Sequence, residues 1–192
     1  GGEPLLIPQY VTLWERMTVV NPDVSISIQT NATVLDHRTK AILRRGRFHI
    51  SVSIDSVDKS LYETIRKNAR FERVKENIEW LAAYARDAGT SFGISCCPMP
   101  QNWQDLPAVL EFANRSGASL FFTTVEAPAE CSLQALPASE IRRVREVLGR
   151  FDPKAGDALE AANRQVFAHL LSQLDAWGLA AERAAQEGFV AP

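Results

Sequence analysis

Four short segments of the chain are either mainly apolar or alternate apolar and polar residues with a period of two. Because side chains alternate between the two sides of an extended chain, this pattern predicts four β-strands of about six residues each. The segments are 24–29, 48–54, 92–97 and 120–125. The sequence between them has apolar residues at spacings of three and four, which predicts helices. The helical segments are 9–20, 36–45, 58–88 in one or two pieces, 104–116 and 139–148.

Residues typical of helix ends flank these segments. Glycine commonly ends a helix in the left-handed conformation, and Asp or Ser commonly begins one by accepting a backbone hydrogen bond. The predicted terminators are Gly46, Gly89, Gly117 and Gly149, and the predicted first caps are Asp36, Asp58 and Ser139. The sequence therefore reads as strands that alternate with helices.

This order favours parallel strands, because a helix between two strands returns the chain to the same end of the sheet. Either an open doubly wound sheet or part of a β/α barrel satisfies the order. The polar side of the first two strands adds information, since it is formed by short hydrophilic residues where a closed barrel has bulky apolar ones. These residues are Ser25, Ser27, Gln29, Asn31, His49, Ser51, Ser53 and Asp55. We therefore expect an incomplete barrel whose inner face lines a wet cavity; an antiparallel sheet with one solvated face is the alternative.

The sequence changes in character near residue 150. From Phe151 onward it is rich in alanine and has no strand pattern. We predict a β/α domain over residues 1–150 and a helical extension over 151–192. Within the extension, residues 157–187 predict one long helix that ends near Gly178, followed by a shorter one.

Composition and charge narrow the class of protein. The 192 residues are 46% hydrophobic, and 21 Lys and Arg stand against 23 Asp and Glu, for a net charge of −2. This balance gives no reason to expect a nucleic-acid or anionic membrane partner. No apolar run approaches the length of a membrane span, and the first residues do not resemble a signal peptide, so we expect a cytoplasmic protein with reduced thiols.

Several polar residues and a proline lie where the predicted strands end. In parallel α/β folds, the loops at these ends form the active site. Asn31 and Asp55 follow two predicted strands, Pro98 follows a third, and Glu3 follows a glycine pair. Any one of them is unremarkable in a loop. Together they predict a site along one edge of the sheet.

The same residues belong to motifs that occur in a known order. These are Gly1-Gly2-Glu3-Pro4-Leu5-Leu6, Gln29-Thr30-Asn31-Ala32-Thr33, Ser51-Val52-Ser53-Ile54-Asp55, Tyr62-Glu63-Thr64-Ile65-Arg66 and Phe71-Glu72-Arg73-Val74. In this order and spacing, over residues 1–150, the sequence resembles the radical S-adenosylmethionine (radical SAM) superfamily, in particular the branch that includes peptide and protein maturases. The resemblance implies a partial (β/α)6 barrel with parallel strands, followed here by the C-terminal helical extension.

The resemblance also implies cofactors and site residues. Members of the family bind a [4Fe-4S] cluster and S-adenosylmethionine and generate a 5′-deoxyadenosyl radical, here for maturation of a peptide, a protein or a cofactor. Gly1, Gly2, Glu3 and Pro4 would contact the methionine amino group. Asn31, Ser53 and Asp55 would meet the ribose or the carboxylate, with Arg66 as a carboxylate partner. Flavodoxin or ferredoxin is the type of reducing partner implied, and no catalytic residue of this chain is assigned.

The sequence departs from the family pattern in one large respect. In the family, the GGEP motif ends the second strand, and the cluster is bound by a CxxxCxxC loop after the first. The cysteines of this chain are Cys96, Cys97 and Cys131, with spacings of 1 and 34 residues. They do not form that motif, so we expect no metal ligands in this chain. We expect it to be an inactive part of a longer radical SAM enzyme.

Other interpretations of these residues remain open from the sequence. Asn31 and Asp55 are also typical helix caps, Arg66 is also typical of a solvated helix surface, and His49 is also typical of a core imidazole. Cys96 and Cys97 point to opposite faces of a strand and so suit small buried positions. At the level of function, the alternatives are a non-catalytic barrel remnant that binds a metabolite or partner protein, and a cluster-free barrel enzyme with Asp55 and His49 as acid and base.

Overall fold

A computed structural model describes residues 2–188 and shows an α/β fold. The strands are β1 (Ser25–Thr30), β2 (Arg47–Ser53), β3 (Phe92–Cys96) and β4 (Ser119–Phe122). The helices are α1 (Pro8–Val20), α2 (His37–Leu43), α3 (Lys59–Ile65), α4 (Phe71–Ala88), α5 (Leu106–Arg115), α6 (Ala138–Leu148) and α7 (Ala158–Gly188). Short 3₁₀ turns cover Pro4–Leu6, Trp103–Asp105, Ala129–Cys131 and Leu133–Ala135.

The four strands form one parallel sheet in the order β1-β2-β3-β4. Ser27 of β1 lies beside His49 of β2, and Ser53 of β2 lies beside Ser95 of β3. The predicted parallel topology is confirmed, and the antiparallel alternative is wrong. All four strands therefore end along one edge, which we call the carboxyl edge.

The period-two pattern separates the two faces of the sheet. Ile26, Ile28, Phe48, Ile50, Val52, Ile94 and Leu120 are buried among apolar helix residues. On the opposite face Ser25, Ser27 and Gln29 are exposed, and Ser51 and Ser53 are half-buried. The helices thus cover one face, and the other is a polar, open face, as expected for a partial β/α barrel.

Helix ends follow the predictions only in part. Gly89 and Gly117 have φ near +63°, the left-handed geometry that ends a helix. Asp36 and Asp58 accept hydrogen bonds from the Thr39 and Leu61 amides and cap α2 and α3. The prediction for Ser139 was wrong, because α6 begins at Ala138 after Pro137. Gly149 directly follows α6 as predicted, but neither Gly46 nor Gly149 is left-handed. Gly149 has φ −67°, and a Cβ there would crowd the Arg145 side chain.

The C-terminal region differs from the prediction at Gly178. A single helix, α7, runs through this residue to Gly188, so the predicted break is wrong. Gly178 is buried, and a Cβ placed there would lie 3.7 Å from Ile141 of α6. The glycine therefore lies in the contact between α6 and α7 rather than at a helix end.

The N-terminal half of α7 also packs against the sheet. The Asn163 side chain accepts a hydrogen bond from the Leu120 amide at 2.7 Å and donates to the Ala118 carbonyl at 2.9 Å. These are backbone groups of the β4 edge, so Asn163 takes the position of a neighbouring strand. The division into domains at residue 150 stays a prediction. No helix among residues 2–188 is long and apolar enough to cross a membrane.

Gly46 offers a direct test of the packing between α1 and β2. A Cβ at this position would lie 2.5 Å from Cγ2 of Thr18 and 2.8 Å from the Phe48 ring. We expect Gly46→Ala to lower the free energy of unfolding by about 2 kcal/mol, since overpacking a core costs about 1–3 kcal/mol. The matched variant is Gly156→Ala, whose Cβ would approach only the Glu160 side chain, at 3.2 Å. Denaturant melts that show equal stability for the two variants would contradict this packing.

Candidate functional site

The carboxyl edge of the sheet brings together the residues that follow each strand. Asn31 comes directly after β1, Asp55 lies two residues after β2, and Cys97 comes directly after β3. Glu3 joins them from the first 3₁₀ turn. Residues from separate parts of the sequence therefore share one edge, as the sequence predicted.

Glu3 connects the N-terminal segment to the end of β1. Its Oε1 accepts hydrogen bonds from the Leu5 amide at 3.1 Å and from the Thr30 hydroxyl at 2.6 Å. Its Oε2 accepts one from the Asn31 amide at 2.7 Å. The carboxylate is half-buried and holds the Gly2–Pro4 segment against the strand end. Gly2 is exposed and Pro4 is half-buried, while Gly1 lies outside the described residues.

Asn31 shapes the turn after β1. Its Oδ1 accepts hydrogen bonds from both the amide and the hydroxyl of Thr33, at 2.9 and 2.7 Å. The residue between them, Ala32, has φ 54° and is fully buried. The side chain thus closes a local turn at the carboxyl edge, and α2 begins further on, at the Asp36 cap. The interpretation of Asn31 as a helix cap is wrong.

Asp55 and Arg66 form the most buried ion pair among residues 2–188. Arg66 Nη2 lies 2.8 Å from Asp55 Oδ2, and the side chains are 25% and 7% exposed. Asp55 Oδ1 also accepts a hydrogen bond from the Cys97 amide at 3.1 Å. Since Asp58 is the residue that caps α3, the interpretation of Asp55 as a helix cap is wrong. The interpretation of Arg66 as a solvated residue is also wrong.

Two polar atoms beside this pair have no partner. Arg66 Nε and the Tyr62 hydroxyl are buried and make no hydrogen bond within the described part of the chain. Burial raises the pKa of the Tyr62 hydroxyl, so it stays protonated. An unpaired guanidinium N–H is costly to bury, and an oxygen-bearing anion is the group that satisfies it best. The Arg66 side chain is 25% exposed and pairs with Asp55 through Nη2, so other N–H groups of its guanidinium are left for a carboxylate or phosphate.

Ser53 lies on the open face next to this edge. Its hydroxyl accepts a hydrogen bond from Gln29 Nε2 at 3.1 Å, across the β1–β2 pair. It is half-buried, and its register partner on β3 is Ser95. A hydroxyl that accepts a hydrogen bond can still donate one, so Ser53 can donate to an acceptor on the open face.

His49 lies on the open face, far from the carboxyl edge. Its Nδ1 accepts a hydrogen bond from the Ser91 amide at 3.1 Å and lies 2.7 Å from the Ser91 hydroxyl. It is half-buried, so the interpretation as a core imidazole is wrong. Six residues of extended chain separate it from Asp55, a distance of about 20 Å. An acid–base pair of Asp55 and His49 is therefore not formed.

The cysteines do not come together at a metal site. Cys96 is buried on the helix side of the sheet, and burial raises the pKa of its thiol well above the ordinary range. Cys97 is half-buried, and burial raises its pKa as well. Over residues 2–188, no three His, Cys, Asp or Glu side chains are arranged to hold a metal ion.

Two residues of the site were missed by the sequence reasoning. Asn102 Nδ2 donates to the Asp55 and Cys97 carbonyls, at 2.7 and 2.9 Å. Asp105 Oδ2 accepts from the Ser56 hydroxyl and the Val57 amide, at 2.5 and 2.7 Å. In the sequence, Asn102 and Asp105 are three residues apart and precede an apolar helix, a spacing that resembles a capping box. This spacing is the one local feature that could have drawn attention to them.

Comparisons with known proteins identify the family of this chain. The family model described as the radical SAM superfamily matches residues 1–113. The chain belongs to the radical SAM superfamily. The resemblance to this superfamily, which the sequence motifs around Glu3, Asn31 and Asp55 indicated, is thereby confirmed. The predicted fold class, a partial β/α barrel, is confirmed as well.

Sequence relatives of this radical SAM chain are named GTP 3′,8-cyclase. The protein from Rhodococcus opacus is 30% identical over 122 residues, which cover 64% of this chain and 34% of that protein. The protein from Streptomyces coelicolor is 34% identical over 115 residues, or 59% of this chain and 33% of that protein. The matched part of the chain thus spans about a third of the length of these relatives.

Solved structures of radical SAM proteins share the fold. Streptococcus suis SuiB bound to S-adenosylmethionine aligns with a TM-score of 0.53 and 16% identity, over 78% of this chain and 34% of SuiB. A domain of a pyruvate-formate lyase-activating enzyme from Bacteroides vulgatus aligns with a TM-score of 0.52 and 14% identity, over 78% of this chain and 90% of that domain. At these identities the likeness establishes the fold.

Proposed function

We propose that this chain is the S-adenosylmethionine-binding part of a longer radical SAM enzyme. The observation that carries the proposal is Arg66, a cation that Asp55 anchors at the carboxyl edge and that keeps 25% of its side chain exposed. Membership of the superfamily supports S-adenosylmethionine as the ligand. Bound beside a [4Fe-4S] cluster, S-adenosylmethionine supplies a 5′-deoxyadenosyl radical that abstracts hydrogen from a substrate.

The residues at the carboxyl edge fit the methionine part of this cofactor. The Arg66 guanidinium and the Ser53 hydroxyl would bind the carboxylate, with Asp55 holding Arg66 in place. Asn31 would contact the ribose. Gly1, Gly2 and Pro4 would present backbone carbonyls to the amino group, since glycines allow a close backbone approach. Glu3 already accepts three hydrogen bonds, so it would hold this segment and offer its remaining lone pair to the ammonium.

Maturation of a cofactor is the activity that the sequence relatives favour. They are named GTP 3′,8-cyclase and are 30–34% identical, which makes a nucleotide the first substrate class to test. A peptide is the second class, since SuiB has been solved with its precursor peptide SuiA. A flavodoxin or ferredoxin would supply the electron. Turnover of GTP against turnover of candidate peptides by the complete enzyme separates the two classes.

The gene that encodes this chain decides between an enzyme and a non-catalytic remnant. We expect a CxxxCxxC motif upstream of the Gly1 codon, and we expect the complete protein, reduced with dithionite under anaerobic conditions, to release 5′-deoxyadenosine. A complete protein that lacks the motif and releases none would contradict the proposal and favour the remnant. Chromatography coupled to mass spectrometry measures the product.

Residues 1–192 alone should hold no cluster. A site-differentiated cluster needs three convergent thiolates, and Cys96, Cys97 and Cys131 have the wrong spacing for a common loop. After anaerobic reconstitution with iron and sulfide, we expect no brown absorbance and no cleavage of S-adenosylmethionine. Stoichiometric iron and sulfide retained through gel filtration would contradict this expectation.

A further inference from the structure

We infer that Asn102 and Asp105 are positioning residues that orient Arg66 toward the cofactor carboxylate. Both lie in the loop after β3 and reach across to the segment after β2 that carries Asp55. The inference rests on the proposed function and adds two residues to it. Neither residue is expected to touch the cofactor itself.

Asn102 extends the contact between β2 and β3 beyond their paired residues. The last pair in the register is Ser53 beside Ser95, and the Ile54 amide still donates to the Ser95 carbonyl. Beyond this point, the side-chain Nδ2 of Asn102 donates hydrogen bonds to the backbone carbonyls of both Asp55 and Cys97. Its Oδ1 accepts from the Met99 amide at 2.7 Å, and the side chain is fully buried. Asn102 therefore fixes the backbone of Asp55 where regular pairing has stopped.

Asp105 fixes the next three residues of the same segment. One oxygen, Oδ2, accepts hydrogen bonds from the Ser56 hydroxyl and from the Val57 and Asp58 amides, at 2.5, 2.7 and 3.2 Å. Asp58 is the cap of α3, and Arg66 is the residue that ends α3. Asp105 thus anchors the start of a short helix whose far end carries the guanidinium.

Asn102 and Asp105 together act on both partners of the Asp55–Arg66 ion pair. Asn102 holds the carboxylate-bearing residue, and Asp105 holds the helix that delivers the cation. Asp55 lies two residues beyond the end of β2 and Arg66 directly follows α3, so strand pairing holds neither residue. Groups one step removed from a ligand commonly alter affinity about tenfold or more when they are lost, since the contacting group then samples other orientations.

Asn163 provides a matched control. Like Asn102, it is a fully buried asparagine whose Oδ1 accepts one backbone N–H at 2.7 Å and whose Nδ2 donates twice. It lies at the β4 edge rather than at the carboxyl edge. Asn102→Ala and Asn163→Ala remove equivalent sets of hydrogen bonds, so we expect them to lower the unfolding midpoint to a similar extent.

The experiment measures cofactor affinity in the complete, cluster-reconstituted enzyme by equilibrium dialysis. S-adenosylmethionine is compared with decarboxylated S-adenosylmethionine, which keeps the amino group and lacks the carboxylate. We expect Asn102→Ala to weaken S-adenosylmethionine binding about tenfold and the decarboxylated compound by less than about twofold, while Asn163→Ala changes neither. Asp105→Ala should resemble Asn102→Ala, and Asp105→Asn, which keeps an acceptor oxygen, should restore most of the affinity.

Other outcomes would overturn either the positioning role of Asn102 and Asp105 or the proposed function. Equal losses for both ligands in Asn102→Ala, or equal losses in Asn102→Ala and Asn163→Ala, would show a purely structural role and overturn the inference. If Asn102→Ala does not fold, the comparison of Asp105→Ala with Asp105→Asn decides, and equal affinities would overturn the inference. A wild-type enzyme that does not bind S-adenosylmethionine would overturn the proposed function itself.

Discussion

Arg66→Ala should abolish high-affinity binding of S-adenosylmethionine and destabilise the protein. Removing the guanidinium leaves the Asp55 carboxylate 7% exposed and without its cation. Breaking a buried ion pair costs about 3–5 kcal/mol, and the partial exposure of Arg66 lowers our expectation to about 2–3 kcal/mol. In the complete enzyme, we expect affinity to fall by about a hundredfold, or about 2.8 kcal/mol, the equivalent of one strong charge-assisted hydrogen bond. Calorimetric titration and a denaturant melt measure the two effects.

Two further variants separate charge from geometry. Arg66→Lys keeps the positive charge and loses the planar fork, so we expect it to recover stability more than affinity. Arg164→Ala is the control, since Arg164 forms an exposed pair with Asp152 at 3.1 Å and should change stability by less than about 0.5 kcal/mol. Full affinity in a folded Arg66→Ala enzyme would remove Arg66 from the site.

Glu3→Ala should destabilise the fold by about 3 kcal/mol, a loss that a loop carboxylate on the surface would not produce. The change leaves the Thr30 hydroxyl and the Asn31 amide without their acceptor, and Thr30 is only 2% exposed. The Gly2–Pro4 segment would detach from β1, so we also expect weaker cofactor binding in the complete enzyme. Thermal melts and S-adenosylmethionine titrations test both consequences.

Two control variants test whether the effect of Glu3→Ala comes from its acceptor oxygens and from its position beside β1. Glu3→Gln keeps one acceptor oxygen and should lose less stability than Glu3→Ala. Glu126→Ala, in an exposed loop, should change stability by less than about 0.5 kcal/mol. If Glu3→Ala is as stable as Glu126→Ala, the carboxylate does not anchor the segment, and the role inferred from its three hydrogen bonds is wrong.

The strands were predictable because the information for them is local. Alternation in segments such as Ser25-Ile26-Ser27-Ile28 sets the faces, and the intervening helices dictate parallel order. Gly178 shows the limit of such rules. Glycine ends helices, but it also permits close approach of two helices, and only the position of Ile141 on α6 reveals which use applies.

The site was predictable to a smaller extent. The strand-end positions of Asn31 and Asp55 followed from periodicity, whereas Arg66 came from the family resemblance. The Asp55–Arg66 pair depends on how α3 ends, which no periodicity encodes. Asn102 and Asp105 contact residues 47 to 49 positions earlier, so their role depends on tertiary structure. A capping pattern in the sequence predicts contacts of a residue with its own helix and does not predict contacts with a distant segment.

A crystal structure of the complete enzyme with S-adenosylmethionine tests the central claim most directly. We predict the methionine carboxylate within hydrogen-bonding distance of the Arg66 guanidinium and the Ser53 hydroxyl, with Asp55 still paired to Arg66. The amino group should face the backbone of Gly2 and Pro4, and the ribose should lie near Asn31. A cofactor bound elsewhere, with no contact to the Arg66 guanidinium, would contradict the assignment of this edge of the sheet as the binding site.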